Sequence, residues 1–270
     1  MFSPLRDLWQ GKELQSLAGM EELTSVTELD ISNNNLSSLK ELSGAPGIRS
    51  LNMDDNIVND MEGLSDVVGL RTLSAKNNRI TSTAGLPPNV ASVNYSGNPV
   101  AELAGLDGLA ALKSLELSGG KLTALAGLSA PALESLIIQD NQVASTEGVE
   151  GIVAIVSIQA RGNKIGELTG FGESHETLKE LDLRDNSIKS FDDLAPLVAL
   201  PALKVLKLTG NPICSLPHYK PRVVAMLAGL TQLDDEDVTK EEIVEAKEWW
   251  KAEEARLAAE AEAAEAAAAE

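Results

Sequence analysis

One arrangement of apolar and polar positions repeats along most of the chain. Val26, Leu29, Ile31, Asn34, Leu36, Leu39 and Leu42 set it: an apolar pair around one outward position, an Asn three residues later, then apolar residues at near-three-residue spacing. The first member of each pair falls at Leu29, Leu51, Leu73, Val93, Leu115, Leu136, Ile158, Leu181 and Leu206, in steps of 22, 22, 20, 22, 21, 22, 23 and 25 residues. A unit this short cannot bury its apolar face alone. A sustained period therefore predicts stacked repeats sharing one continuous core.

Each copy reads in the same way. The apolar pair predicts a short strand, because alternate side chains point to opposite faces. Successive strands stack as a parallel sheet on the concave side, and the later three-residue spacing predicts helical or 3-10 turns on the convex side. The predicted class is α/β: a repeat solenoid with capped ends and a C-terminal helical extension. Asn34, Asn56, Asn78, Asn98, Asn141, Asn163, Asn186 and Asn211 fall where the chain leaves each strand. A side-chain amide supplies two donors and an acceptor, so this column predicts a structural ladder that satisfies backbone groups of adjacent turns. Gly120 interrupts the column, which predicts a weaker or water-bridged turn.

The organisation expected is a degenerate capping repeat over 1–25, repeats over 26–213, a closing cap over 214–239 and a helical tail over 240–270. In the first segment Trp9, Leu14, Leu17, Met20 and Leu23 keep the convex spacing without a proper strand, so Trp9 is expected in the core as part of a lid. Residues 240–270 lack Gly and Pro and are mostly Ala, Glu and Lys. That composition favours helix, about 45 Å long if continuous. Thr239 is the expected N-cap, with Glu241 and Glu242 in the first turn. Ile243, Trp250 and Leu257 form a heptad stripe too narrow for strong self-association. Two readings of the tail stay open: a solvated helix fraying beyond Leu257, or one whose Trp249 and Trp250 dock on the cap or on a partner.

Charge and composition narrow the function. Aromatics make up 3% of the chain, so the core must be aliphatic. The net charge of −19 argues against direct binding of nucleic acid or of an anionic membrane. From Asp234 to Glu270 there are 14 acids and 4 bases, a net of −10, which leaves −9 for the residues before them. A lone cysteine, Cys214, excludes an internal disulfide and fits a reducing compartment. The N-terminal residues do not read as a signal peptide and no apolar run is long enough to span a membrane, so a soluble intracellular protein is expected. His175 and His218 are the only histidines and neither has a second ligand or catalytic partner at suitable spacing. No enzyme activity, metal, cofactor or small-molecule substrate is predicted.

The outward strand positions offer the expected partner surface. Glu28, Asp30 and Asp54 make its N-terminal end acidic, and serines with Lys76 and Glu116 occupy the middle. Arg161, Arg184 and Lys207 bring positive charge towards the C-terminal end. Such a gradient could orient a partner of matching polarity. Together with Trp249 and Trp250, these residues form the candidate protein-binding set.

Repeats of this length resemble the short, roughly 22-residue class of leucine-rich repeats. Asn211-Pro212-Ile213-Cys214, Tyr219, Leu230, Leu233-Asp234 and Val238-Thr239, followed by an acidic helix, resemble the cap shared by members of that class. The resemblance implies a packing role for Cys214 and a protein-binding function. It extends to axonemal members, namely the radial-spoke subunit and more loosely the outer-arm dynein light chain, and to the protein-phosphatase-1 regulatory subunit and a spliceosomal protein. It implies a structural subunit of a ciliary or flagellar axoneme. The alternatives are a soluble adaptor holding a phosphatase or other enzyme on its concave face, and a nuclear ribonucleoprotein scaffold acting through a protein.

Overall fold

Three-residue strands, one per repeat, line one side of a coil of chain. The computed structural model describes residues 6–18 and 25–268. Its strands are β1 (Arg6–Leu8), β2 (Glu28–Asp30), β3 (Ser50–Asn52), β4 (Thr72–Ser74), β5 (Ser92–Asn94), β6 (Ser114–Glu116), β7 (Ser135–Ile137), β8 (Ser157–Gln159), β9 (Glu180–Asp182), β10 (Val205–Lys207), β11 (Gln232–Leu233) and β12 (Glu236–Asp237). They form one sheet in chain order, parallel from β1 to β11, with β12 turned back antiparallel on β11. The register aligns Leu29, Leu51, Leu73 and Val93 in one inward row. The second inward row, including Ile31, Met53, Ala75, Tyr95 and Leu117, is buried as well. Each fully buried Leu or Ile contributes about 2 kcal/mol.

The convex side varies more than the sheet. Lys40–Gly44, Val149–Gly151 and Asp192–Ala199 are 3-10 helices, while several other repeats turn without a regular helix. The longer seventh repeat places His175 in the interior. Its Nε2 lies 3.0 Å from the Val149 carbonyl, and its ring meets the edge of Phe171.

Each strand exit from β2 to β10 has one residue in the left-handed backbone region. These residues are Asn33, Asp55, Asn77, Gly97, Gly119, Asp140, Gly162, Asp185 and Gly210, with φ between 53° and 85°. Asn, Asp and Gly are the residue types that enter this region at least cost. The following Asn then points inward. Asn163 is representative: its Nδ2 donates to the carbonyls of Ile138 (2.9 Å) and Ala160 (3.0 Å), and its Oδ1 accepts from the Val143 amide (3.0 Å). One amide thus joins two repeats. At Gly120 this rung is missing, and the buried Val100 amide, which by register would donate to it, has no protein partner among the described residues.

The N-terminal segment departs from the sequence expectation in two respects. Residues Arg6–Leu8 do form a strand, paired with β2. Trp9, next along the chain and in register with Ile31, is 37% exposed rather than core. Among the described residues β1 has a neighbouring strand on one side only, which leaves its inward residue partly uncovered. Leu17 is buried in this segment, and Asn34 Oδ1 ties it down by accepting from the Lys12 and Leu14 amides. Met20 and Leu23 lie outside the described residues.

The far end is closed by α1 (Tyr219–Met226), the β11–β12 hairpin and α2 (Lys240–Ala268). Asp234 stands where the next repeat would begin. Its Oδ1 accepts from the Leu208 and Thr209 amides at 2.6 and 2.8 Å, and its Oδ2 accepts from the Tyr219 hydroxyl at 2.6 Å. Burial, and then this carboxylate, push the Tyr219 hydroxyl above the usual tyrosine range. Cys214 donates its thiol to the Leu208 carbonyl at 3.1 Å, and burial raises it above the ordinary thiol range. Among the described residues no helix is long and apolar enough to cross a membrane.

Two predictions come from these contacts. Asn163→Ala leaves the Val143 amide without its acceptor, while the Ile138 and Ala160 carbonyls keep the Asn141 and Asn186 amides, so we expect a loss of roughly 2 kcal/mol in urea denaturation and faster exchange of the Val143 amide. Asp234→Ala should cost about 2–3 kcal/mol by uncovering two amides, whereas Tyr219→Phe, which removes one bond, should cost about 1 kcal/mol. Equal losses in the second pair would deny Asp234 its role as the terminal acceptor.

Candidate protein-interaction surfaces

The register places the first and last residue of each strand, and the residue two positions further on, on the concave face, while the middle residue points into the core. Asp30 Oδ1 accepts from the Ser32 amide and hydroxyl. Asp54 Oδ1 accepts from the Ser74 hydroxyl (2.6 Å) and the Lys76 amide (2.7 Å), and the Lys76 ammonium stands 3.5 Å from the other oxygen. Glu116 receives the Asn94 amide and the Ser96 hydroxyl, and Gln139 donates to Gln159. The centre of this face is a set of mutually bonded polar side chains. Glu28 lies on β2 at its N-terminal end.

The cationic end expected from the strand residues is balanced in place. Arg161 pairs with Asp185 at 2.8 Å, and Lys207 with Asp235 at 2.9 Å. Arg184 grips the buried Asp182 through Nε and Nη2 and lies 3.7 Å from Asp235. The Asp182 bond, ahead of the other nearby acids, holds the Arg184 guanidinium above its ordinary range. The Lys207 ammonium holds the Asp235 carboxyl below the usual range. Asp185 and Asp235 come from turns beyond the strands, which is why a reading of strand positions alone overstated the gradient. The face is polar, and its cations Lys76, Arg161, Arg184 and Lys207 are each compensated in place by a carboxylate.

The second surface is the cap with its tail. Thr239 Oγ1 accepts from the Glu242 amide, and Glu242 Oε2 accepts from the Thr239 amide. This reciprocal pair starts α2. Ile243 and Ala246 then pack inward, and Lys220 bridges Glu236 and Glu242 at 3.0 and 2.9 Å. One turn on, the Arg222 guanidinium lies between two rings, 4.2 Å from the Phe191 centroid and 4.6 Å from that of Trp250. Trp249 stacks at 4.9 Å on His218. Both tryptophans therefore face the cap and are half-buried. Between them, Phe191, Arg222 and Glu253 line a cleft of about 390 Å³. The α2 backbone stays helical to Ala268, whereas the Leu257 side chain lies outside what is described. Phe191, His218 and Arg222 were missing from the sequence-derived set. A cation three residues into a short helix carries no mark of the two rings that will flank it.

A leucine-rich repeat family model matches residues 115–263, and a second leucine-rich repeat model matches residues 25–45. The chain is 40% identical over 70 residues to U2 small nuclear ribonucleoprotein A' of Candida glabrata, covering 26% of each protein. It is 45% identical over 71 residues to cilia- and flagella-associated protein 410 of Mus musculus, covering 26% of this chain and 28% of the relative. With leucine-rich repeat-containing protein 23 of Bos taurus it shares 35% identity over 80 residues, 30% of this chain and 23% of the relative. The matches thus span about a quarter of each relative's length. An internalin from Listeria monocytogenes superposes with a TM-score of 0.64 at 20% identity, over 84% of this chain and 72% of the internalin, a likeness of fold alone. The repeat geometry and a family model spanning more than half of the sequence lead to one conclusion: the chain belongs to the leucine-rich repeat family.

Proposed function

We propose that this protein is a non-catalytic interaction scaffold in a ciliary or flagellar axonemal complex such as a radial spoke. The reading is carried by segments shared with proteins named for cilia and flagella, among them protein 410 and a dynein axonemal assembly factor of Rattus norvegicus, 39% identical over 70 residues. The architecture supports it. A stack of repeats with a polar sheet offers a long rigid surface, and α2 extends that surface beyond the cap. Partners are other axonemal proteins, reached through the concave residues Glu28, Asp30, Asp54, Lys76, Glu116, Arg161, Arg184 and Lys207, or through the cap-side Trp249 and Trp250. No direct contact with nucleic acid or membrane belongs to this reading, and its location is the axoneme.

An enzyme-holding adaptor has less in its favour, because the described strand residues on the concave face include no aromatic anchors. A nuclear scaffold has the ribonucleoprotein A' matches on its side. Affinity capture with the full chain, from extracts of ciliated cells, separates the three. Axonemal subunits retained through high salt and detergent are the expected result. A spliceosomal particle or a soluble phosphatase in their place would overturn the reading. Because Arg222 anchors Trp250, we further expect Trp249→Ala combined with Trp250→Ala to loosen α2, seen as proteolysis within it, and to weaken axonemal retention. Undiminished retention would assign the contact to the concave face.

A further inference from the structure

The residue before each strand forms a column of its own along the strand-start edge of the sheet. From β3 to β10 it reads Arg49, Arg71, Ala91, Lys113, Glu134, Val156, Lys179 and Lys204. A continuous backbone ladder lines these residues up. The Arg71 amide donates to the Arg49 carbonyl (2.8 Å), Ala91 to Arg71 (2.8 Å), Lys113 to Ala91 (2.8 Å), and so on to Lys204 on Lys179 (2.9 Å). Neighbouring side chains in this column are therefore held about one strand spacing apart, about 4.8 Å. The column runs roughly 34 Å over the seven steps from β3 to β10.

Its cations differ from those of the concave face. Arg161, Arg184 and Lys207 are each paired with a carboxylate. On the edge, Arg71 contacts only main-chain carbonyls, of Val68, Gly69 and Leu70, and Lys204 reaches the Gly229 carbonyl. Among the described residues Arg49, Arg71, Lys179 and Lys204 are paired with no carboxylate, and all four are exposed. Lys113 is paired, with Glu134. A protein with a net charge of −19 thus carries two uncompensated cation pairs, Arg49–Arg71 and Lys179–Lys204, at the two ends of one straight row.

We propose that this edge is a docking site for an acidic peptide segment of a partner protein, laid along the solenoid axis with a carboxylate cluster on each cation pair. An extended segment of about ten residues covers the row at about 3.3 Å per residue. Such a segment can set uncharged residues against Ala91, Glu134 and Val156. A nucleic-acid backbone or an anionic bilayer cannot, since its regular charge would meet Glu134 and the field of the whole acidic molecule. The proposal shares with the function proposed above only the premise that the solenoid binds proteins.

The test is fluorescence anisotropy of a labelled poly-glutamate peptide with the full chain at low salt. We expect saturable binding, weakened about tenfold or more by Arg49→Gln, Arg71→Gln, Lys179→Gln and Lys204→Gln together, and unchanged by Lys121→Gln with Lys164→Gln. All six positions are exposed, and unchanged circular dichroism and thermal midpoints check that the variants fold. No binding by the wild-type chain, equal binding by the edge variant, or displacement of the peptide by oligouridylate or phosphatidylserine vesicles ahead of free poly-glutamate would overturn the proposal. Axonemal capture is read separately: it can persist when poly-glutamate fails and can fail when poly-glutamate binds.

Discussion

Everything in this molecule depends on the inner turn, where the chain leaves a strand and must reverse inside a space one residue wide. The backbone groups of that turn are buried, and each one left unpaired would cost on the order of 1–3 kcal/mol. The Asn column meets the need with a single side chain that serves its own turn and the one before. The residue ahead of it adopts the left-handed backbone that aims it inward, and at all nine exits that residue is Asn, Asp or Gly. Gly120 shows the arrangement by exception. The Val100 amide that should meet a side chain there has no protein partner among the described residues, and neighbouring rungs keep the coil intact.

A structure built from nearest-neighbour contacts is vulnerable at its ends. The two ends are closed by different means. At the front, β1 adds a strand and Asn34 extends the ladder by one step, while Trp9 stays partly exposed. At the back, Asp234 replaces the missing neighbour by accepting two amides with one oxygen, and the Tyr219 hydroxyl orients the carboxylate. The helix α2 then covers α1 through Ile243, Ala246 and the Phe191–Arg222–Trp250 stack. The cap is therefore both a plug and the mount for a helical arm.

Charge placement separates the surfaces by their use. Acids from successive turns neutralise the concave cations, which makes that face suited to hydrogen bonding with a shape-matched partner more than to long-range steering. The strand-start edge lies on the far side of each strand from those turns. Apart from Lys113, its cations are paired with no carboxylate among the described residues, and Arg71 and Lys204 meet main-chain carbonyls instead.

The fold was legible in the sequence because its determinants are local and repeated. The L-x-L pairs, the Asn column and its Asn, Asp or Gly predecessors each act within a few residues, and nine copies reinforce one period. Leu233-Asp234 and Thr239 likewise marked where repeats end and a helix begins. Tertiary structure decided what depends on distances between repeats. Asp185 and Asp235 neutralise Arg161 and Lys207 only once the coil has closed, Trp250 finds Arg222 only when α2 folds back on α1, and Trp9 is exposed because among the described residues no strand pairs with β1 on its outer side. Periodicity along the chain specifies which way a side chain points. Which charge or ring it meets is set by neighbours some twenty residues away, and only the stacked solenoid brings them together.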